Sequence, residues 1–198
     1  MTRRPVDLER AERAVADLLA AVGLDRDADP ELADTPSRAA HAFAHELLGG
    51  YDVEPAAALA DCTSADTSDL VVVRDIQLVT MCPHHLLPAR GLAHVGYVPH
   101  GKVVGLGALA RLVDAHARRL VLQEELGRRI AEALVVHLGA RGAGVVLDTR
   151  PMCLVARGEK QHAARAVTVS LAGSFALPDG DRALFALAMG GAATEGPP

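Results

Sequence analysis

Two cysteines and two histidines are the residues of this sequence whose types and spacing point most directly to chemistry. Cys82, His84 and His85 lie within four residues of one another in MCPHHLLPAR, and Cys153 follows much later in PMCLVARG. Cysteine sulfur and histidine nitrogen are the preferred protein ligands of zinc. Three protein ligands with a fourth position left to water is the catalytic pattern, whereas structural sites close with four. The alternative is a chance C-x-H-H string in a loop, with the cysteines merely buried.

The elements that must position these residues are strands. Runs rich in β-branched and apolar residues predict four strands, over residues 70–80, 91–99, 143–156 and 163–175. The Cys-Pro-His-His turn then lies between the first two strands, and Cys153 lies in the third. Two helices are predicted between the strand pairs, over residues 105–118 and 121–139; the second carries an apolar row at i+4 spacing.

The N-terminal segment predicts a helical hairpin. Residues 7–22 have one apolar stripe, and Asp7 is placed to cap the start of that helix. A second helix is predicted to start with Thr35 as N-cap and Pro36 at the first helical position, and to end at the glycine pair 49–50.

The order of elements predicts an α+β fold: a four-stranded antiparallel sheet with two helices on one face, preceded by the helical hairpin. No internal repeat or interdomain linker is visible, so we expect a single compact unit. Its regions are an N-terminal helical region at 1–50, a catalytic domain at 51–178 and a C-terminal tail at 179–198 that is expected to fray. Residues 51–68 mix Ala, Asp, Ser and Thr and predict a loop.

Composition excludes several classes of protein. Half of the 198 residues are hydrophobic, which excludes general disorder. A net charge of -5 with only 3% aromatic residues argues against a nucleic-acid partner. No apolar run approaches the ~20 residues of a membrane span, and the N-terminus lacks the apolar core of a signal peptide. Three cysteines make no disulfide framework, so we expect a reducing, cytoplasmic setting.

Four segments resemble motifs of the GTP cyclohydrolase I family, in the family's order and spacing. They are DTPSRAAHAFAHELLGGY, MCPHHLLPARGLAHVGYVP, GKVVGLGALARLVDAHARRLVLQEEL and PMCLVARG, and the resemblance runs from about residue 34 to residue 175. It implies the T-fold, in which β-α-α-β units assemble side by side into a closed barrel. It further implies a homo-oligomer, a decamer of two pentameric rings, with active sites at the subunit interfaces.

The resemblance also implies an activity and its residues. Family members are zinc-dependent hydrolases that attack C8 of the guanine ring of GTP, release formate and form 7,8-dihydroneopterin triphosphate. Carried over by position, the zinc ligands are Cys82, His85 and Cys153. The catalytic histidine beside the metal is His84, and the substrate-binding residues are Gln123, Glu124, Arg111 and Arg157. Without the motifs, Glu124 would be interpreted as a solvated charge that favours the start of a helix.

The sequence departs from the family motifs mainly at the phosphate end. The histidine of the family's H-x-C motif, which is expected to protonate the purine, is Pro151 here. The family's G-L-S-K is Gly-Leu-Gly-Ala at 105–108, and the lysine expected three residues after Arg38 is His41. The Ser- and Thr-rich run expected after Arg-Gly is replaced by 162–167, HAARAV. Each charge-assisted contact is worth about 1.5–3 kcal/mol, so these losses predict weaker triphosphate binding.

These departures lead to one main hypothesis and its alternatives. The main hypothesis is a cyclohydrolase whose guanine-type substrate lacks the triphosphate, or whose product remains a ring-opened pyrimidine. His162, His41 and His94 are the candidate replacements for the missing acid. One alternative is a conventional GTP cyclohydrolase I with a compensated site. Another is a catalytically inactive T-fold protein that binds a pterin or purine.

Four other residues have simpler interpretations. Cys62, in a polar segment, is expected to be a free thiol without a catalytic role. His116 and His137 fall on helical faces and are expected to be packing or surface residues. Pro151 within a strand-like run predicts an edge position or a bulge.

Overall fold

The computed structural model describes residues 3–158, 160–177 and 181–189. Its helices are α1 (Leu8–Ala21), α2 (Thr35–His41), α3 (Pro55–Ala58), α4 (Leu106–Ala117), α5 (Gln123–Ala133), α6 (Met152–Val155) and α7 (Arg182–Met189). Its strands are β1 (Cys62–Ser64), β2 (Val71–Met81), β3 (Pro88–Val98), β4 (Lys102–Val104), β5 (Gly142–Pro151) and β6 (Ala166–Gly173). Single π-helical turns extend α2 over Ala42–Leu47 and α5 over Leu134–Leu138.

The main sheet has four antiparallel strands in the order β2-β3-β5-β6, which confirms the predicted architecture. β1 and β4 form a separate antiparallel ribbon. The prediction that residues 51–68 are a loop is therefore wrong in part, because α3 and β1 lie within them. All three residues of β1 are exposed, so that strand has no alternation of buried and exposed residues by which to recognise it.

The core between the sheet and helices α4 and α5 is aliphatic. Fully buried side chains of the two helices pack on fully buried side chains of β3 and β5, among them Leu109, Leu112, Ile130, Leu134, Val95, Val145 and Leu147. Tyr97 is the large exception, and its hydroxyl accepts a hydrogen bond from the backbone N–H of Val104 at 3.1 Å. Burial of these faces fixes the register of the strands, and hence the sheet end that carries the metal ligands.

The opposite face of the sheet is covered at one end by α7. Phe185 packs there against Phe175, with ring centroids 5.7 Å apart, over Gly96 and Gly144. A Cβ atom on Gly96 would lie only 2.7 Å from the Phe185 ring, so a side chain at this position would displace α7. The proposed C-terminal tail at 179–198 thus contains a packed helix, while residues 190–198 lie outside the described part of the chain.

The helical hairpin also forms, with one difference at a cap. The carboxylate of Asp7 accepts a hydrogen bond from the backbone N–H of Arg10 at 2.9 Å, which confirms it as the cap of α1. The N-cap of α2 is Asp34 rather than Thr35, and its carboxylate pairs with Arg38 instead of with the backbone. Within the described residues, no helix has both the length and the apolar character that crossing a membrane requires.

Candidate active site

The loop between β2 and β3 folds His85 back onto Cys82. The backbone N–H of Leu86 donates to the carbonyl of Cys82, and the N–H of Cys82 donates to the carbonyl of Leu87, both at 3.0 Å. Leu86 closes the turn in the left-handed region with φ 53°, a conformation that costs a non-glycine residue about 1–2 kcal/mol. The closed turn places two potential ligands, three residues apart, at one end of the sheet.

The third ligand comes from the end of β5. Pro151 is the last residue of that strand and pairs with Ala89 at the start of β3. The next residues form the single turn α6, so Cys153 lies on a short helix and not in the predicted strand over 143–156. Proline fixes φ near −65° and has no N–H to donate, which favours the end of a strand and the start of a helix. Pairing with β6 has already ended at Thr149, so Pro151 lies beyond the part of β5 that has neighbours on both sides.

Cys82, His85 and Cys153 come together. One ligand atom from each lies within 4.8 Å of the others, and Sγ of Cys82 is 3.7 Å from Nδ1 of His85. Ligand atoms on a tetrahedral zinc ion are about 3.3–3.8 Å apart, given Zn–S and Zn–N distances near 2.3 and 2.1 Å. The cluster therefore needs only a slight contraction to hold zinc. Two sulfurs and one nitrogen form the donor set of a catalytic site with an open fourth position, so the residues present fit the metal.

Zinc binding at this cluster would be coupled to the loss of a proton. Burial, together with the neighbouring sulfur of Cys82, raises the pKa of the Cys153 thiol. Without metal that thiol is protonated at neutral pH, and zinc binding must release its proton. Both sulfurs are half-buried, whereas His85 is exposed, so the cluster is open to solvent on the histidine side.

His84 stands beside the cluster without belonging to it. Its ring is exposed and meets the ring of His85 edge-on, with centroids 6.2 Å apart. Because the two histidines are neighbours in sequence, the turn that brings one towards the sulfurs directs the other elsewhere. His84 is thus placed to contact a substrate next to the metal.

Gln123 is fully engaged inside the protein. Its amide nitrogen donates to the carbonyls of Leu147 at 3.1 Å and Ala166 at 2.8 Å, and its amide oxygen accepts from the hydroxyl of Thr149 at 2.7 Å. These bonds tie the first residue of α5 to both β5 and β6. No sequence pattern distinguishes Thr149 from any other threonine within a strand, yet it is buried and anchors this glutamine.

The two glutamates that follow behave differently. Glu125 binds Arg128 and Arg129, which lower the pKa of its carboxyl to about 2. Glu124 is exposed, and its carboxylate makes no hydrogen bond or ion pair with any described residue. Adjacent carboxylates at one helix start thus have distinct surroundings, and only Glu124 is free to accept hydrogen bonds from a ligand.

The arginines expected at the phosphate end lie on separate elements. Arg111, on α4, is exposed, and its guanidinium is 3.8 Å from the carboxylate of Asp61. Arg157 follows α6 and is exposed, with no ion pair to a described residue. Arg165 is engaged by two bonds to Asp148, of 2.8 and 2.6 Å.

Ala108 occupies the position of the family's lysine, but its surroundings do not suit a lysine. Ala108 is only 1% exposed and packs in the main core, so a lysine at this position would need a changed helix orientation. Gly107, at the serine position, is exposed, and a Cβ atom there would lie 3.4 Å from Nη1 of Arg111. The serine of the family motif could be accommodated at Gly107 without such a change, whereas the lysine at Ala108 could not.

Of the three candidate replacements for the missing acid, His94 is excluded by position. It pairs with Val146 in the middle of β3, five ladder positions from the pair Ala89–Pro151, or about 17 Å along the strand. It is buried, and its Nδ1 accepts the backbone N–H of Asp75 at 3.2 Å. Sequence order could not show this, because the distance between His94 and Pro151 depends on the pairing register of β3 with β5.

The other two candidates remain. His41 is exposed on α2, with its ring 4.8 Å from that of His45. His162 is exposed in the turn after α6, and the preceding residue, Gln161, donates its backbone N–H to the carbonyl of Leu154 at 3.1 Å. That bond holds the turn against the short helix that carries Cys153.

Two cavities in the described part of the chain lie apart from the metal ligands. One of them, about 900 Å³ in volume, lies between the outer face of the sheet and the ends of α2 and α4. The smaller one, of about 240 Å³, lies beside α4 and α5. Neither is lined by the metal ligands, by Glu124 or by Arg157.

Comparison with known proteins finds relatives over most of this chain. A "GTP cyclohydrolase 1" of Thermobifida fusca is 42% identical over 172 residues, covering 86% of this chain and 82% of the relative. One of Mycobacterium ulcerans is 41% identical over 184 residues, covering 92% and 90%. A "GTP cyclohydrolase 1 2" of Pseudomonas syringae pv. tomato is 48% identical over 146 residues, covering 71% and 78%.

A crystal structure of an archaeosine synthase QueF-Like protein superposes with a TM-score of 0.44 at 19% identity, covering 52% of this chain and 93% of that one. This likeness is too low to support a conclusion. The sequence model of GTP cyclohydrolase I, in contrast, matches residues 11–188, which include every element from α1 to α7 except the first residues of α1 and the last of α7. Together with the Cys-His-Cys cluster, this match shows that the chain is a hydrolase that belongs to the GTP cyclohydrolase I family.

Proposed function

We propose that the protein converts GTP to 7,8-dihydroneopterin triphosphate, by hydrolysis at C8 of the guanine ring with release of formate. The observation that carries this proposal is the Cys82–His85–Cys153 cluster in a chain more than 40% identical to proteins named GTP cyclohydrolase 1. The comparisons favour this alternative over our main hypothesis from the sequence, and they give no support to a substrate without the triphosphate.

Zinc is the metal that this site would hold. When bound, zinc acts as a Lewis acid and lowers the pKa of water to about 7, which makes hydrolysis possible at neutral pH. The two cysteines would bind as thiolates and His85 through Nδ1, the nitrogen that faces the sulfur of Cys82. The left-handed turn at Leu86 preorganises two of the three ligands before the metal arrives.

Glu124 is the residue that we assign to guanine recognition. Its free carboxylate can accept two parallel hydrogen bonds from the ring N–H and the exocyclic amino group of guanine, and adenine lacks that pair of donors. Gln123 supports this role indirectly: its bonds to β5 and β6 fix the helix start that carries the carboxylate. We therefore assign Gln123 to positioning within the substrate site rather than to contact through its side-chain amide.

Proton transfer is assigned to histidines. His84 is exposed next to the metal ligands, where it would accept or donate a proton at the ribose end of the substrate. His162 would replace the acid that is absent at Pro151, because the backbone bond from Gln161 to Leu154 keeps its turn near Cys153. An imidazole can both accept and donate a proton, which suits both tasks.

Arg111 and Arg157 would bind the triphosphate. Two guanidinium groups supply the charge-assisted bonds, each worth about 1.5–3 kcal/mol, that the absent serine and lysine do not. We expect the two arginines, which lie on different elements, to meet one substrate where two subunits adjoin, as the family resemblance implies.

Assembly into a homo-oligomer, a decamer of two pentamers as in the family resemblance, is therefore part of the proposal. Leu18 and Val22 of the α1 segment are 60% and 63% exposed, and Val167 and Val169 on the edge strand β6 are 60% and 61% exposed. An apolar helix stripe and an unpaired strand edge are surfaces that a second copy would cover. We place the protein in the cytoplasm, where its three free cysteines stay reduced.

The test is product analysis with zinc-loaded protein and GTP, GMP or guanosine as substrate, following formate release and product mass. The proposal predicts 7,8-dihydroneopterin triphosphate from GTP at an ordinary enzymatic rate and much slower turnover of GMP and guanosine. Formate from guanosine or GMP in preference to GTP, or an opened pyrimidine as final product, would contradict it. Zinc binding without any formate from the three substrates would favour the inactive binding protein instead.

A further inference from the structure

A second group of polar side chains lines the smaller cavity, next to the α4–α5 connection. This cavity has a volume of about 240 Å³, and its polar lining residues are Tyr51, Glu54, His116, Arg119 and Arg129. Sites for drug-sized ligands span roughly 300–1,000 Å³, so the space suits a smaller molecule. The proposed reaction makes no use of these residues.

His116 is the residue that points to a ligand. It is only 7% exposed, and neither Nδ1 nor Nε2 has a hydrogen-bond partner among the described residues. An imidazole always carries at least one N–H donor, and a buried donor without an acceptor is unfavourable. Burial, with Arg119 and Arg129 nearby, lowers the pKa of His116 to about 4, so the ring is neutral at neutral pH. A role for His116 in packing alone, as predicted from the sequence, does not explain why both ring nitrogens lack a hydrogen-bond partner.

Arg119 adds a rigid cation to the same cavity. The side chain is 5% exposed, and its Nε donates to the carbonyls of Gly50 at 3.0 Å and Ala115 at 2.8 Å. Its Nη2 donates to the carbonyl of Val53 at 3.0 Å, and its guanidinium lies 5.5 Å from the centre of the Tyr51 ring. Nη1 makes no hydrogen bond with the described residues. A buried cation held in one orientation with an unused donor is preorganised for an anion.

Arg129 supplies a second cation from α5. Its Nε donates to the carboxylate of Glu125 at 2.7 Å, and its two terminal nitrogens have no partner among the described residues. Guanidinium groups bind oxyanions through paired N–H donors, which an ammonium group cannot do in the same geometry. Glu54 is the one carboxylate among the lining residues, against two guanidinium groups, and it is exposed.

We propose that this cavity binds a small oxyanion of the phosphate or sulfate type, held by Arg119, Arg129 and the N–H of His116. The anion would accept the unused donors of all three side chains at once. The site is separate from the metal ligands, and the proposal is independent of the reaction that the protein catalyses.

Such an anion would stiffen the segment that leads to the substrate-binding residues. Arg119 directly precedes Leu120, whose backbone N–H donates to the hydroxyl of Tyr51 at 3.3 Å and which forms a bridge with Met81. Met81 in turn precedes Cys82, and α5 begins at Gln123. Anion binding is therefore expected to stabilise the folded protein, because a ligand that binds only the folded state raises the unfolding midpoint.

The test is titration of the full-length, zinc-loaded protein with inorganic phosphate at constant ionic strength, by calorimetry and by thermal unfolding. We expect saturable binding of a single anion per chain and a rise in the unfolding midpoint. Arg129→Gln should weaken binding at least about 10-fold, the value of one charge-assisted bond. Arg128→Gln is the matched control: it removes the neighbouring arginine, which also binds Glu125 but does not line the cavity, and it should keep the wild-type affinity.

Phosphate could instead bind at the proposed substrate site, so Arg157→Gln forms a third arm. It should leave phosphate affinity unchanged. Loss of binding in Arg157→Gln with retention in Arg129→Gln would overturn the proposal, as would absence of saturable binding to the wild type. A GTP titration separates a free anion from the phosphates of a nucleotide: an equal loss of GTP and phosphate affinity in Arg129→Gln would assign the cavity to the nucleotide and overturn a free-anion site.

A spectroscopic measurement keeps the test decisive if Arg129→Gln does not fold. The ring ¹H–¹⁵N signals of His116, assigned by comparison with His116→Gln, should shift on phosphate saturation of the wild type. The same signals should shift less at equal phosphate in Arg129→Lys, which keeps the charge but loses the paired donors. Unchanged His116 signals at saturation would overturn the proposal.

Discussion

The metal end and the phosphate end of the proposed active site are built in different ways. The metal end is local: one closed turn and one short helix bring three ligand atoms within 4.8 Å inside a single chain. The phosphate end consists of long, exposed side chains on separate elements, and it is where the sequence departs from the family motifs. A site fixed by backbone hydrogen bonds tolerates little change, whereas a site of flexible side chains can lose members and keep part of its affinity.

The largest effect is expected at the metal end. Cys82→Ser should abolish tight zinc binding and formate release, because a serine hydroxyl does not replace a thiolate ligand. Zinc content per chain and product formation from GTP measure the two consequences. Cys62→Ser is the control: Cys62 is an exposed free thiol on β1 and should be silent in both assays. Full zinc content in Cys82→Ser would contradict the assignment of the ligand set.

A smaller loss of activity is expected when Glu124, the residue assigned to guanine recognition, is replaced. The adjacent Glu125 provides the comparison. Glu124→Gln should lower kcat/KM for GTP by roughly 10²–10³-fold, because an amide oxygen cannot replace a carboxylate that accepts two N–H groups. Its effect on stability should be small, since the carboxylate has no partner among the described residues. Glu125→Gln should show the reverse: nearly normal kinetics and a lower unfolding midpoint, owing to its lost bonds to Arg128 and Arg129.

The contribution of Glu125 to stability depends on pH. The pKa of Glu125 falls from 4.5 to about 2 in the folded protein, so its contribution to stability is complete above pH 4.5 and is lost as pH falls towards 2. Glu125→Gln should therefore lower the unfolding midpoint at pH 6 and approach the wild-type midpoint near pH 2. Equal differences at both pH values would contradict the role of these ion pairs.

Gln123 holds the start of α5 against β5 and β6, and its replacement tests a positioning role. Gln123→Leu removes the bonds to β5 and β6 and leaves the buried hydroxyl of Thr149 without its acceptor, which should cost about 2–4 kcal/mol of unfolding free energy. Urea unfolding measures this loss. Gln77→Leu, an exposed glutamine on β2, is the control. An unfolding free energy equal to that of the wild type would show that the amide does not brace the helix start.

Sequence could predict the metal end almost completely, for a physical reason. Ligand types, their spacing and a hairpin turn are encoded locally, and the period of the strands fixes which ends meet. The prediction of a strand at Cys153 is wrong because apolar residues continue past Pro151, while the proline ends the strand and the backbone turns into a short helix. The exclusion of His94 and the anchoring by Thr149 needed the strand register, which no local pattern contains.

The phosphate end could be predicted only as a list of residues. The surroundings of each side chain decide whether it can bind phosphate. Arg165 is bound to Asp148, Ala108 is buried under the sheet, and Arg111 remains accessible. Such pairings depend on side-chain reach across several elements and, in the proposed oligomer, on a second subunit. For the same reason, nothing in the sequence distinguished His116 from a histidine that only packs.

The smallest expected effect tests whether the phosphate end is a weakened version of the family site. Gly107→Ser restores a hydroxyl next to Arg111, at a position where the added Cβ would sit 3.4 Å from the guanidinium. One hydroxyl–phosphate hydrogen bond is worth about 0.5–1.5 kcal/mol, so KM for GTP should fall by up to about 10-fold, with KM for guanosine unchanged. Gly107→Ala controls for the added carbon alone. If the serine variant lowers KM for GTP and guanosine equally, the hydroxyl does not act on the phosphates, and Arg111 does not mark the phosphate end.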